Sequence, residues 1–326
     1  MQRSTTAAGL LCITLMLMFP GLVAAQDFPN RPIKLVVPFP PGGSTDAVSR
    51  VVAASLTPRL GQQVIVENRP GAGSQIGLEF VARSAPDGYT LVLGAADGLV
   101  VLPVMKKKAP YDPIKDFTPI AVVAEVPLSY AVNVKFPANT LGELIAYAKS
   151  KPGSVRYGSA GVGTTLHLGV ELLQAITGTQ MVHVPYKGGG PMMVDIVAGE
   201  IEMVLTSSDL AKKYADSGHI RVLAQADTRR HPLLPNVPTT AEVGQPELRA
   251  VSWMGIFGPA GVPKSSVDRL AKELAPLLEE PAIRERMILV GANVRYIPSG
   301  NIAKLITDET AKWGRVVREQ RIPLQD

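Results

Sequence analysis

Short runs of β-branched residues alternate along this chain with longer segments in which apolar residues recur every three or four positions. Ile33–Val37 is a predicted strand, and residues 46–60 form a predicted helix that ends at Gly61. Further strands are predicted at 64–66 and 90–93. Strands that alternate with helices over short turns pair in parallel beneath helices on both faces, so the sequence predicts an α/β fold.

The same alternation restarts in the second half of the chain. Predicted strands lie at 120–123, 128–134, 155–157, 180–184, 201–205, 219–224 and 249–257, and predicted helices at 141–150, 165–177, 191–198, 265–278 and 302–320. A break at Pro127 is predicted to separate the first two strands. Thr140 and Glu143 predict a capping box at the start of the first helix.

No flexible linker joins the two halves of the sequence. We therefore expect the chain to cross between two α/β units on strand-like segments, one near 120–126 and one near 250–256. The predicted domains are residues 26–122 together with 253–326, and residues 123–252. Open α/β sheets bind ligands beyond the carboxyl ends of their strands, which predicts a ligand cleft between the two units.

The first 25 residues have the pattern of a signal peptide. Arg3 precedes an apolar stretch, and small residues at Val23 and Ala25 predict cleavage before Gln26 and export of the mature chain. Cys12 is the only cysteine and lies inside this segment. The predicted mature protein therefore has no disulfide, cysteine nucleophile or cysteine metal ligand.

Composition narrows the classes of partner. The formal net charge is +5, but aromatic residues make up only 5% of the chain and do not alternate with basic runs, which argues against a nucleic-acid partner. The histidines lack metal-ligand spacing, so we predict no metal site and no cofactor. They are His167, His183, His219 and His231.

Two motifs resemble enzyme signatures but fit them poorly. The glycine pattern at 71–77 has the outline of a dinucleotide fingerprint, yet residues 67–70 separate it from the preceding strand. Ser159 lies in a turn that is similar to a nucleophile elbow, but Tyr157 stands where that motif requires glycine. His167 follows on a predicted helix, and no partner acid is identifiable.

Two similar turns, one in each half, join a strand to a helix. They span residues 40–45 and 159–165, and both contain glycines that let the backbone approach a ligand closely. Each turn leads into a helix N-terminus, whose first N–H groups lack partners and carry partial positive charge. The pair predicts a site for a carboxylate that needs no arginine. In the alternative interpretation, the hydroxyls of these turns only cap their helices.

Motifs throughout the predicted mature chain closely resemble one receptor family, the extracytoplasmic solute receptors of tripartite tricarboxylate transporters, also called Bug receptors. The motifs are PFPPGGSTD, VENRPGAGSQIG, PDGYTLVLG, YGSAGVGTTLHL, HVPYKGGGP, VPTTAEVG and FGPAGVP. Taken together and in this order they are specific, although no single one is.

The resemblance implies a type II periplasmic-binding-protein fold, in which two α/β domains close on a ligand across two hinge crossings. It also implies that the ligand is a small organic carboxylate, delivered to integral membrane transporter subunits without catalysis, and we predict a monomer. In the family, the two turns hold one ligand carboxylate, partly through water. The residues at these positions are Phe39, Pro41, Gly42, Gly43, Ser44, Thr45, Ser159, Ala160, Gly163, Thr164 and Thr165.

The chain departs from the family pattern after its third strand and near residue 209. We predict that Ala95, Ala96, Asp97 and Asp209 contact the far end of the ligand. The two acids would repel a second carboxylate, select an amino or hydroxyl group, or face water. The ligand is therefore open among aliphatic carboxylates, aromatic carboxylates and amino acids.

Two other functions remain open at this point. An exported hydrolase would use Ser159 as its nucleophile, and a sensory protein would present its bound ligand to a membrane kinase. The sequence does not separate sensing from transport, because both use the same closed cleft.

Overall fold

The computed structural model describes residues 28–326. The predicted signal peptide, its cleavage site and Cys12 lie outside the described residues. Within them, none of the helices is both long enough and apolar enough to cross a membrane.

Helices and strands alternate as the sequence predicts. The strands are β1 (Ile33–Val37), β2 (Val64–Asn68), β3 (Thr90–Ala95), β4 (Phe117–Asn133), β5 (Arg156–Ser159), β6 (Val182–Pro185), β7 (Met203–Ser207), β8 (Ile220–Gln225), β9 (Val251–Pro259) and β10 (Asn293–Pro298). The helices are α1 (Ser44–Leu60), α2 (Gln75–Ala82), α3 (Leu102–Met105), α4 (Leu141–Ser150), α5 (Thr165–Thr177), α6 (Gly189–Ala198), α7 (Ser208–Asp216), α8 (Lys264–Glu279), α9 (Pro281–Leu289) and α10 (Ser299–Glu319). A 3₁₀ turn at Ala72–Ser74 precedes α2, and a π-helical turn at Asp97–Val101 precedes α3.

The strands pair in the order β2-β1-β3-β9-β4-β7-β5-β6, with β8 and β10 also paired to β4. β1, β2 and β3 are parallel, as are β5, β6 and β7, which confirms parallel pairing in both halves. β4 and β9 run antiparallel to their neighbours. The carboxyl ends of β1, β2 and β3 therefore share one edge, and those of β5, β6 and β7 share another.

The predicted break at Pro127 is wrong, because β4 is one continuous strand of 17 residues. Residues 117–127 pair with β9, and from Leu128 the strand pairs with β7 and β8. Proline has no N–H to donate to a neighbouring strand. Pro127 lies where the partner changes, opposite Val251 at the start of β9, so the missing donor interrupts neither ladder.

Local signals at helix ends hold in the structure. Gly61 ends α1 in the left-handed conformation with φ of 68°, as predicted. The predicted cap of α4 is confirmed, since Thr140 Oγ1 accepts the N–H of Glu143 at 3.1 Å. Glu143 in turn accepts the backbone N–H of Asn139 at 2.6 Å, one residue before the position that the capping box predicts.

The core is continuous across both groups of strands. Among its largest fully buried side chains are Trp253, Trp313 and Tyr130, and a smaller cluster lies beneath α6 around Met192 and Ile196. Each buried large apolar side chain stabilises the fold by about 1.5–3 kcal/mol relative to leaving it in water. Several short elements were not predicted from sequence, namely α3, α7, α9, β10 and the π-helical turn.

Candidate functional site

The first predicted turn leaves β1 and ends at the N-terminus of α1. Gly43 is the N-cap residue, and no side chain caps this helix. Gly42 adopts φ of 88°, in the left-handed region that favours glycine. No acceptor within residues 28–326 pairs with the backbone N–H groups of Ser44 and Thr45. The capping interpretation therefore does not apply to α1, whose N-terminus is open in the sense that the N–H groups of Ser44 and Thr45 are unpaired within the described residues.

Asp46 holds this turn in place. Its carboxylate accepts the N–H of Gly42 and Nδ2 of Asn68, each at 3.0 Å, and Nε of Arg50. Asn68 also donates to the carbonyl of Phe39 at 3.1 Å. Burial raises the pKa of Asp46, but the hydrogen bonds from Arg50, Gly42 and Asn68 outweigh it and lower the pKa overall. The residue was not among the predicted site residues, although an acid in the first helical turn after a glycine pair was a visible signal.

The second turn is folded by its own hydroxyls. Thr164 Oγ1 donates to the carbonyl of Gly161 at 2.9 Å and accepts the N–H of His167, so the capping interpretation holds for Thr164. Ser159 Oγ accepts the N–H of Gly161 at 3.1 Å. Gly163 has φ of 76°, and a Cβ there would lie 2.9 Å from Cγ of Met105. Glycine is thus required at 163 both by conformation and by the close approach of α3.

Asp97 links the two halves of the molecule. Its Oδ1 accepts the backbone N–H of Thr165, the first residue of α5, at 2.7 Å. Its Oδ2 accepts the hydroxyl of Ser252 on β9 at 3.1 Å. The N-terminus of α5, unlike that of α1, is therefore already paired with a carboxylate of the chain itself.

Two stacked histidines support the second turn. His183 Nε2 lies 2.7 Å from Ser159 Oγ, and His167 Nδ1 accepts the N–H of Gly163 at 3.2 Å. Their ring centroids are 4.0 Å apart, and the ring of Tyr157 stacks on His183 at 4.9 Å. Burial, together with the neighbouring His183 ring, lowers the pKa of His167 to about 3, and burial lowers that of His183 to about 4. Both imidazoles are therefore neutral at neutral pH.

Glu171 also belongs to this group, but it does not keep His167 protonated. Its carboxyl lies 3.7 Å from Nε2 of His167 and accepts the hydroxyl of Tyr157. Burial raises the pKa of Glu171, so the acid that would stabilise an imidazolium is itself held closer to its neutral form.

The other predicted ligand contacts lie outside the two turns. Ala95 and Ala96 are each 1% exposed and belong to the hydrophobic core. Asp209 packs against the loop between α9 and β10, where a Cβ on Gly291 would lie 2.5 Å from its Oδ1. Their contact with a ligand stays a prediction.

Sequence reasoning missed several polar residues of this region. They are Asn68, Ser74, His183 and Ser252. Ser74 and Asn68 lie in the quoted motif VENRPGAGSQIG, which was the available signal. Within residues 28–326, the buried hydroxyls of Ser74 and Thr165 have no hydrogen-bond partner.

Ser159 and His183 form a pair that invites comparison with a hydrolase dyad. Ser159, however, is fully buried, and its hydroxyl is shared with both backbone groups of Gly161. In the described part of the chain, no carboxylate is hydrogen-bonded to His183 as an orienting acid. The same residues contain no cluster of three histidine, cysteine, aspartate or glutamate side chains that would hold a metal ion.

Sequence comparison identifies one family over most of the chain. The profile of the tripartite tricarboxylate transporter family receptor matches residues 48–322. Protein BugT of Bordetella pertussis strain Tohama I is 36% identical over 324 residues, which cover 98% of this chain and 98% of BugT.

Solved structures give the same result for the fold. Rpa4515 of R. palustris, solved with adipate, is 33% identical with a TM-score of 0.84 and covers 91% of this chain and 99% of its own. The periplasmic binding protein BugD is 33% identical with a TM-score of 0.80 over 91% of this chain and all of its own. MatC of Rhodopseudomonas palustris, solved with malate, is 32% identical with a TM-score of 0.78 over 89% of this chain and all of its own. These similarities confirm the predicted α/β periplasmic-binding-protein fold.

Proposed function

Because the chain belongs to the tripartite tricarboxylate transporter receptor family, we propose that it captures a small organic carboxylate and delivers it to integral membrane subunits of such a transporter. Members of this family are periplasmic solute receptors. Solved relatives hold adipate and malate, both carboxylates. The chain acts in the periplasm after cleavage near Ala25, as a monomer.

The open N-terminus of α1 carries this proposal. Its first N–H groups have no side-chain cap, while Asp46 holds Gly42 and Asn68 around it. Partial positive charge at a helix N-terminus stabilises an anion, and a turn held by hydrogen bonds does not need to reorganise on binding. The carboxylate binds Ser44 and Thr45 through their backbone, with the second turn approaching from the other half of the molecule, partly through water.

Two lobes close around this position. One lobe comprises residues 26–122 and 253–326, and the other residues 123–252. The crossings lie in β4 and at the start of β9, where one strand serves both lobes. Closure brings Met105 and Asp97 of the first lobe against Gly163 and Thr165 of the second.

The receptor works without catalysis. Ser159 is a structural residue in this proposal, because its hydroxyl closes the turn through Gly161 and His183. The short distance between Ser159 and His183 favours the rival hydrolase function. Two observations argue against the hydrolase function. Ser159 is buried, and among residues 28–326 no acid is hydrogen-bonded to His183.

A thermal-shift screen of the mature protein against carboxylates tests the proposal. A ligand at 100 times its Kd stabilises the folded protein by about 2.7 kcal/mol. We expect Gly163→Val to abolish this shift, since the new side chain collides with Met105 and the backbone at 163 disfavours a β-branched residue.

Gly153→Val is the matched control. Gly153 has a similar φ of 74°, but no atom lies within 4 Å of its Cβ position. This variant is expected to lose stability and still bind. If no carboxylate in a broad panel raises the melting temperature of the wild type, the proposed function is contradicted. If Gly163→Val still binds ligand, the second turn is not part of the site.

A further inference from the structure

Asp97 follows β3, the strand beside the one that leads into the first turn. β1 and β3 are neighbouring parallel strands with Val36 opposite Val92, so Phe39 is level with Ala95 at the carboxyl edge. Neighbouring strands lie about 4.8 Å apart. Asp97 follows Ala95 by two residues and reaches across to α5, where its carboxylate meets Thr165. The acid therefore follows the strand next to the first turn and contacts the helix that begins at the second turn.

The carboxylate of Asp97 is only partly satisfied. An ionised carboxylate has about four acceptor positions, and here the N–H of Thr165 and the hydroxyl of Ser252 fill two. Within residues 28–326, no lysine or arginine pairs with it. Asp97 is half-buried, so its carboxylate is not sealed inside the core.

Unpaired donors beside Asp97 point independently to a ligand. The hydroxyl of Thr165 belongs to the residue whose N–H binds Asp97, and it is buried with no partner in the described structure. The hydroxyl of Ser74 is also buried without a partner, and it touches the position that a Cβ on Gly98 would occupy. Buried polar groups are rarely left unpaired, which indicates that a polar molecule completes this region.

We propose, resting on the function proposed above, that Asp97 determines specificity: the ligand is a small carboxylate whose far end carries a hydrogen-bond donor, best a protonated amine, and not a second carboxylate. The ligand carboxylate binds the open N-terminus of α1. The amine donates to the free acceptor positions of Asp97. A second carboxylate would meet a like charge there and find the N-terminus of α5 already occupied.

The ligand class therefore differs from that of the solved relatives. Adipate and malate each carry two carboxylates. In this chain one of the two helix N-termini that follow the glycine turns, that of α5, is paired with Asp97. Asp97 supplies the anion at α5, whereas Asp46 at α1 is bound to Gly42, Asn68 and Arg50 and leaves the N–H groups of Ser44 and Thr45 to the ligand. The ligand therefore supplies one carboxylate only.

Matched ligand sets measured by titration calorimetry test the assignment. Each set has one chain length: 3-aminopropanoate, propanoate and malonate; 4-aminobutanoate, butanoate and succinate; 6-aminohexanoate, hexanoate and adipate. We expect wild type to bind the amino acid of one set at least tenfold more tightly than the dicarboxylate. Asp97→Asn keeps the shape of the side chain and removes its charge. We expect it to shift that ratio by at least tenfold toward the dicarboxylate.

Asp308→Asn on the exposed face of α10 is the charge-matched control. Asp308 pairs with Lys304 at 2.6 Å, and its removal changes the net charge equally. This variant is expected to keep the wild-type ratio. If Asp97→Asn changes the ratio of amino-acid to dicarboxylate affinity by less than threefold, the specificity assignment is overturned and the receptor function still stands. The same holds if the variant changes the affinity for all ligands equally. Binding of no carboxylate by wild type or any variant refutes the receptor function, and the specificity assignment falls with it.

Discussion

Acidification should lower the free energy of unfolding of this protein, because the stacked histidines beneath the second turn are buried in their neutral form. His167 is 3% exposed, and its pKa of about 3 lies well below the ordinary value of 6.5. Between these pH values the unfolded chain binds a proton at this position and the folded protein does not. The free energy of unfolding therefore falls as the pH drops below 6.5. Above pH 6.5 this histidine is neutral in both states, so the full stability is retained.

The magnitude follows from the width of that window. One proton of difference removes about 1.4 kcal/mol for each pH unit. His167 should therefore cost about 3 kcal/mol between pH 7 and pH 4, a large part of the 5–15 kcal/mol typical of a folded domain. Burial lowers the pKa of His183 and His231 as well, and it raises that of Glu171, which acts in the opposite direction.

Comparison with His167→Gln isolates the contribution of this residue. Glutamine keeps a neutral polar side chain of similar length at this position, and unlike histidine it does not titrate. Urea unfolding, followed by tryptophan fluorescence at pH 7, 6, 5 and 4, gives the free energy of unfolding of each protein. Wild type should lose about 3 kcal/mol more than the variant over this range.

An exposed histidine provides the control for this experiment. His219 lies at the surface with Nδ1 2.8 Å from Ser217 Oγ, and His219→Gln controls for the change from histidine to glutamine at an exposed site. If His167→Gln and wild type lose stability in parallel from pH 7 to pH 4, burial of His167 does not set the acid sensitivity, and the reasoning is refuted.

Two further variants test the turns. Asp46→Ala removes the carboxylate that accepts hydrogen bonds from Gly42, Asn68 and Arg50. We expect ligand affinity to fall at least tenfold and the free energy of unfolding to fall by about 1–3 kcal/mol. Unchanged affinity in calorimetry would show that the turn does not need this carboxylate. Ser159→Ala should fold and bind ligand with a modest loss of affinity, because only the turn contacts of this hydroxyl are lost. An ester-hydrolysis assay that detects turnover in wild type and none in Ser159→Ala would instead support the hydrolase.

Local sequence patterns predicted much of the architecture. The spacing of apolar residues predicted α1, α5 and the parallel strands, and glycine with threonine marked helix ends at Gly61 and Thr140. These signals work because helix periodicity, left-handed glycines and N-caps depend on residues within one or two turns of each other. Pro127 shows the limit, since its effect on β4 depends on which strand lies opposite.

The sequence by itself determined the fold class, the two glycine turns and the family to which the chain belongs. Only the tertiary structure decided how the polar residues pair. Asp97 meets Thr165 across 68 positions of sequence and Ser252 across 155, while Ser159 pairs with His183 rather than with the nearer His167. Such contacts arise from strand order and lobe packing, which bring distant residues together without leaving a periodic signal in the chain.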